Sequence, residues 1–252
     1  MILPTAYFSA CLPAALFVLL SGCVAPAAST DPVPAGTAST SASAAFNTAP
    51  LLPSSFFAGG AEQFSAWHCQ PANQHLVTAT TGNGELRLWS LHGAWQLPAA
   101  VVASGARYQA GDISFWNRGE QAQVETPRGQ LQCRLAEQRD VFTRSDHPGV
   151  MFRGQGNEPG WSVDLAHDTP TLSLVLDYAT REETRAYRVS VMDNENGRVV
   201  LESTRPDQPF RLRLEAGACF DDMSGKPFPT RVTLTFEGTQ YSGCGQGITP
   251  GS

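Results

Sequence analysis

Lysine is nearly missing from this 252-residue chain: Lys226 stands alone beside sixteen arginines, and the formal charge is −6. That balance leaves no basic footprint for nucleic acid. No Cys-x-x-Cys occurs and the thiols are scattered, so the chain has no zinc-ligand spacing. The five histidines, His68, His75, His92, His147 and His167, show no ligand spacing either. Hydrolase and nucleotide signatures are also missing: there is no Gly-x-Ser-x-Gly, no His-Glu-x-x-His, no Walker loop and no Gly-x-Gly-x-x-Gly. No metal or cofactor is expected, and no catalysis. There is no long amphipathic helix pattern and no repeat of fixed period. The longest apolar run, Leu12 to Leu20, is too short to span a bilayer.

That run has instead the length of a signal-peptide core. It leads into Leu20-Ser21-Gly22-Cys23, which resembles a bacterial lipobox, although no Lys or Arg precedes it. Residues 1–22 are therefore expected to be a lipoprotein signal peptide, with the thiol of Cys23 carrying the lipid that holds the chain to a membrane. Val24 is not the aspartate that commonly retains lipoproteins at the inner membrane, so an outer-membrane anchor facing the periplasm is expected. Residues 23–60, rich in Ala, Ser, Thr, Pro and Gly, read as a disordered tether reaching roughly 35 Å.

Beyond the tether, short alternating runs are separated by turn signals, the pattern of an all-β protein. Two small antiparallel barrel-like domains are expected, at 61–137 and 150–246, joined by a linker at 138–149 and followed by a tail at 247–252. Gly82-Asn83-Gly84 and Asp193-Asn194-Glu195-Asn196-Gly197 are the clearest hairpin loops. Cys11 falls in the signal and Cys23 is assigned to lipid, which leaves four cysteines and three possible pairings. Cys69 with Cys133 and Cys219 with Cys244 is preferred, because each pair then lies within one domain. Cys69 and Cys133 fall in the first and last strands of the first domain, where a bridge would close the barrel.

Residues 103–119 form the most conspicuous stretch. Ala103-Ser104-Gly105-Ala106-Arg107-Tyr108 joins small residues to a cation and an aromatic around a glycine free to take positive φ. Phe115-Trp116-Asn117-Arg118-Gly119 then ends an aromatic strand in a turn, with a cation at its tip. These two pieces, with Ala122 following, resemble the membrane-bound inhibitor of C-type lysozyme family. The resemblance covers about 75 residues, and Cys69 and Cys133 fit that family's bridged small β-barrel. It implies that the loop enters the lysozyme cleft, where the Ser104 hydroxyl and the Arg118 cation meet two catalytic carboxylates. Gly105, Ala106, Arg107 and Tyr108 complete the implied lysozyme-binding set. The family usually carries Lys where this chain has Arg118.

The second domain, at Gly156 to Trp161, Cys219 to Gly225 and Tyr241 to Cys244, is similar to an uncharacterised periplasmic domain of bacterial lipoproteins. Gly154 to Gly160 reads as an irregular strand entry, and Asp221-Asp222-Met223-Ser224-Gly225 as a disulfide-anchored turn. Glu158, Asp164, Asp221 and Asp222 are the carboxylates a glycosidase-like pair would draw on, though solvated turns account for them. An envelope scaffold or ligand-binding lipoprotein is the alternative to an inhibitor.

Overall fold

The computed structural model describes residues 52–71 and 74–249. The expected signal peptide, Cys23 and the expected tether as far as Leu51 lie outside the described residues. The described chain is all-β, with two barrel-like sheets and one 3₁₀ turn, Ser54–Phe56.

The first sheet has nine strands: β1 Gln63–Gln70, β2 Gln74–Thr80, β3 Leu86–Ser90, β4 Gly93–Leu97, β5 Ala99–Ala100, β6 Ala106–Ala110, β7 Ile113–Arg118, β8 Gln121–Thr126 and β9 Gly129–Asp140. Their order is β4-β3-β2-β1-β9-β8-β7-β6-β5. The two outermost strands, β4 and β5, are consecutive in the chain and separated only by Pro98, so the sheet curls until its edges meet at one residue. Proline suits that corner because it has no N–H to offer a ladder. Its carbonyl accepts from Gln109 N at 2.9 Å. Alternation sends Leu86, Leu88, Phe115, Val124 and Trp67 inward, where they are at most 3% exposed.

The second sheet is a closed eight-stranded barrel. Its strands are β10 Val150–Asn157, β11 Gly160–Ala166, β12 Thr171–Leu176, β13 Arg181–Asp193, β14 Arg198–Ser203, β15 Phe210–Phe220, β16 Pro227–Phe236 and β17 Thr239–Gly247. Each pairs with the next and β17 returns to β10, a closure that leaves no free edge. Every second residue fills the interior: Val163 with Leu165, Leu212 with Leu214, and Val232 with Leu234 are at most 1% exposed. Gly154 to Gly160 is thus not an irregular entry but regular strand and hairpin. Gly156 lies so close to β17 that a methyl there would fall on the Ser242 carbonyl oxygen.

Both disulfides pair as expected, Cys69–Cys133 and Cys219–Cys244. They close loops of 64 and 25 residues, contributing about 4 and 3.5 kcal/mol in the chain-entropy account. The first bridge does not close the barrel, however. Cys69 and Cys133 are register partners on adjacent strands at the centre of the sheet, and closure occurs at Pro98.

The two sheets pack within one compact unit. Trp89, of opposite parity to Leu86 and Leu88, is only 1% exposed, because its side of the sheet joins Phe64, Val77 and Ala79 against Ala218 of the second barrel. The supposed linker starts later than composition suggests, since β9 runs to Asp140. Arg139 is 8% exposed at the seam, donating to Pro227 O at 3.0 Å and Gln246 Oε1 at 2.6 Å. The ring of Phe228 lies 3.9 Å from its guanidinium. Burial pulls this guanidinium down to about 9, so the cation persists at neutral pH.

Two further boundaries shift. Residues 52–60 do not belong to the tether: Phe56 is fully buried in the core of the second barrel, 5.9 Å from Phe152. Their carbonyls are held from the first sheet, Ser55 O by Trp89 Nε1 at 2.7 Å and Phe57 O by Arg87 at 3.1 Å. At the other end the tail begins beyond Ile248, which is 1% exposed and donates to Met151 O at 2.9 Å.

His68 is not packed around the disulfide. Trp67 and Cys69 point into the core, while His68 is exposed and stacks on His75 of β2 at 4.4 Å. His75 also meets Phe220 of the second barrel at 5.6 Å. Burial, then the neighbouring His68, lowers the His75 pKa. The unfolded chain accordingly takes the proton first, and stability falls as pH drops through about 6.5. Melting between pH 7.5 and 5.5 should show that loss, and His75→Asn should flatten it.

Candidate functional site

The β6–β7 hairpin builds the site. Register pairs Ala106 with Asn117, Arg107 with Trp116 and Tyr108 with Phe115. Since side chains alternate, Phe115 and Tyr108 go to the core at 1% and 8% exposure, and Trp116 and Arg107 go to the outer face. The carbon skeleton of the hairpin is therefore fixed from beneath before any partner arrives.

Ala103, Ser104 and Gly105 are exposed and lead directly into β6. Gly105 has φ +73°, and a methyl on it would fall on the carbonyl oxygen of Asn117 and lie 3.0 Å from Arg118 Cγ. Only glycine lets the loop lie flat on the end of β7. Trp116 then fastens both parts. Its indole N–H donates to the Ser104 carbonyl at 3.1 Å, and the Arg118 guanidinium lies 3.7 Å from its ring centroid. The stacking is worth about 0.5–1 kcal/mol at an exposed site, and the hydrogen bond about 1 kcal/mol. Among the described residues Ser104 is exposed and its hydroxyl forms no hydrogen bond, and Arg118 makes no ion pair.

The structure thus brings Ser104, Gly105 and Arg118 together on one indole. Arg107 also approaches that indole, its guanidinium 6.0 Å from the ring centroid, whereas Ala106 and Tyr108 turn toward the core. Arg107 is held by Glu125 at 3.0 Å and Ser114 at 3.4 Å, bracing β6 against β7 and β8. Ala106 is half-buried beside the first core, and Tyr108 is a core residue. Sequence reasoning missed Val101, which is fully exposed just before the loop. Its signal was a valine pair, Val101-Val102, standing outside any alternating strand. It also left Trp116 undecided between core and surface.

The acidic residues of the second barrel serve structure. Arg153 grips both oxygens of Asp164, at 2.8 and 2.7 Å. Burial opposes the charge on Asp221, but hydrogen bonds from Ser224 and Asn157 outweigh it and hold the carboxyl below its ordinary value. Asp221 accepts the Ser224 backbone N–H at 2.8 Å, closing the turn after Cys219. Asp222 and Glu158 are exposed. Among the described residues no cluster of three or more His, Cys, Asp or Glu could hold a metal ion.

Residues 67–132 match the family model described as membrane-bound lysozyme-inhibitor of c-type lysozyme. The match runs from Trp67 in β1 to Gln132 in β9, so it contains the whole Ser104–Arg118 arrangement. The second barrel lies outside it. No curated protein matches the chain.

Proposed function

We propose that this chain inhibits c-type lysozyme by placing Ser104 and Arg118 against the catalytic carboxylates in the enzyme's cleft. The family match supports the inhibitor role. The observation that carries the site assignment is the shared indole, which holds the Ser104 backbone and the Arg118 guanidinium at one place within the matched segment.

The chemistry follows from the two groups. A hydroxyl donates to an ionised carboxylate, and a guanidinium adds a charge-assisted bond that strengthens where water is excluded. Glycoside cleavage uses one carboxyl as acid and the other as nucleophile, so engaging both stops turnover without catalysis by the inhibitor. Arginine differs here from the lysine usual in the family. A planar fork on a ring favours bidentate contact with one carboxylate, whereas an ammonium acts as a point charge. Exposed Val101 supplies apolar contact at the rim of the docking face.

The purified chain, with both disulfides formed, should slow lysis of cell-wall substrate by a c-type lysozyme. No inhibition at micromolar concentration overturns the proposal, and binding without slowed lysis favours the scaffold alternative. Ser104→Ala and Arg118→Ala should each weaken inhibition by about 1 to 3 kcal/mol, with thermal stability unchanged. Unaltered potency in both variants places the contact elsewhere.

The family description also supports an association with the envelope. We extend this to a lipoprotein whose signal, residues 1–22, is removed and whose Cys23 is acylated, holding the chain at the outer membrane on the periplasmic side. Labelling cells with radioactive palmitate should mark the wild-type chain and leave Cys23→Ser unmarked.

A further inference from the structure

A cavity of about 770 Å³ opens at the end of the first sheet away from Ser104 and Arg118. Strand β7 connects the two places, with Ile113 in the cavity wall and Arg118 at the loop, about 17 Å apart at strand rise. Leu76, Leu88 and Val124, each at most 3% exposed, form the deep part, and half-buried Trp95, Ile113 and Leu131 form the sides. Five of these six side chains are aliphatic, a surface that conforms to a flexible alkyl chain better than to a stacked ring. The volume falls in the range of small-molecule sites, and the mouth of a small β-barrel is a common place for one.

Charge at the rim selects the head group. Among the described lining residues Arg128, exposed on the β8–β9 turn, is the one Arg or Lys, and none is a carboxylate. Gln74, Gln130 and His92 add hydrogen-bonding groups at the same opening. We propose that this cavity binds a single-chain carboxylate amphiphile, with the alkyl chain against Leu76, Leu88 and Leu131 and the carboxylate at Arg128. The site is separate from the inhibitory loop and uses none of its residues.

The test is equilibrium dialysis of the full chain against dodecanoate, with 1-dodecanol as the uncharged comparison. One saturable equivalent of dodecanoate is expected. Arg128→Glu should weaken dodecanoate at least tenfold and spare dodecanol, while Leu131→Trp, which fills the cavity from a half-buried wall, should remove both. Retained lysozyme inhibition in each variant shows that the fold persists. No saturable binding by the wild-type chain overturns the site, as does equal binding by Leu131→Trp. Unchanged dodecanoate binding in Arg128→Glu overturns the carboxylate contact.

Discussion

Gly105→Ala, the addition of one methyl group, is expected to weaken lysozyme inhibition at least tenfold and to leave melting nearly unchanged. The methyl would collide with the Asn117 carbonyl and crowd Arg118, and alanine at φ +73° carries a left-handed backbone cost of about 1–2 kcal/mol. The loop relieves both by lifting from the end of β7. Lifting it parts the Ser104 carbonyl from the Trp116 indole. One substitution thereby displaces a hydroxyl it never touches, and inhibition reports the displacement. Trp116→Phe separates the two fastenings: it keeps a ring under Arg118 and removes the N–H to Ser104. Its potency should fall between wild type and Gly105→Ala. If Gly105→Ala inhibits like wild type, the flat loop is not the docking form.

Arg139→Ala is expected to destabilise the chain by about 2–4 kcal/mol, the largest single effect on stability foreseen here. Pro227 O loses the guanidinium donor, and Gln246 Oε1 keeps only the longer bond from Phe142 N at 3.3 Å; a buried acceptor left unsatisfied costs about 1–3 kcal/mol. The arginine stem and its stacking on Phe228 go as well. The cation itself is held at some expense, shown by its pKa of about 9. Arg139→Met, which removes the charge but keeps an apolar stem over Phe228, should recover part of the loss, whereas adding Gln246→Leu also strips both Phe142 backbone groups of their partner and should cost more. Urea unfolding of the singles and the double measures the coupling. Additive effects would mean that Arg139 and Gln246 do not act as one node.

Much of this was legible in residue order. Gly82–Gly84 and Asp193–Gly197 marked hairpins because positive-φ glycines and asparagine-rich turns have local causes. The disulfides could be paired because the domain limits left one economical choice. What alternation does not tell is what covers each face. Leu86 and Leu88 alternate with Arg87 and Trp89, which tells of two faces but not that the second barrel covers the Trp89 side. Phe56 stands out as an apolar exception in a run of Ala, Ser and Pro, but nothing local says that the second barrel takes it whole. Arg139 was invisible for the reverse reason: a charged residue at a strand end reads as solvated, and only contacts 88 and 107 residues away bury it. At the candidate site, the motif brought Ser104 and Arg118 to notice. The indole that holds them could not be separated from an ordinary core tryptophan, because strand parity between Phe115 and Trp116 is set by the register with β6 and β8.

The position of Phe56 bears on how the protein carries load. Leu52 to Phe57 precede the first sheet in sequence but are packed on the second barrel, with Phe57 bridged to Gly247. Tension applied at the N-terminus is therefore taken up by the second barrel, together with the Arg87 and Trp89 side chains that hold the same segment, before it reaches β1. Strand β1 sits mechanically downstream of that grip, and a pull that strips Phe56 from its socket is the first event a force-extension trace should record.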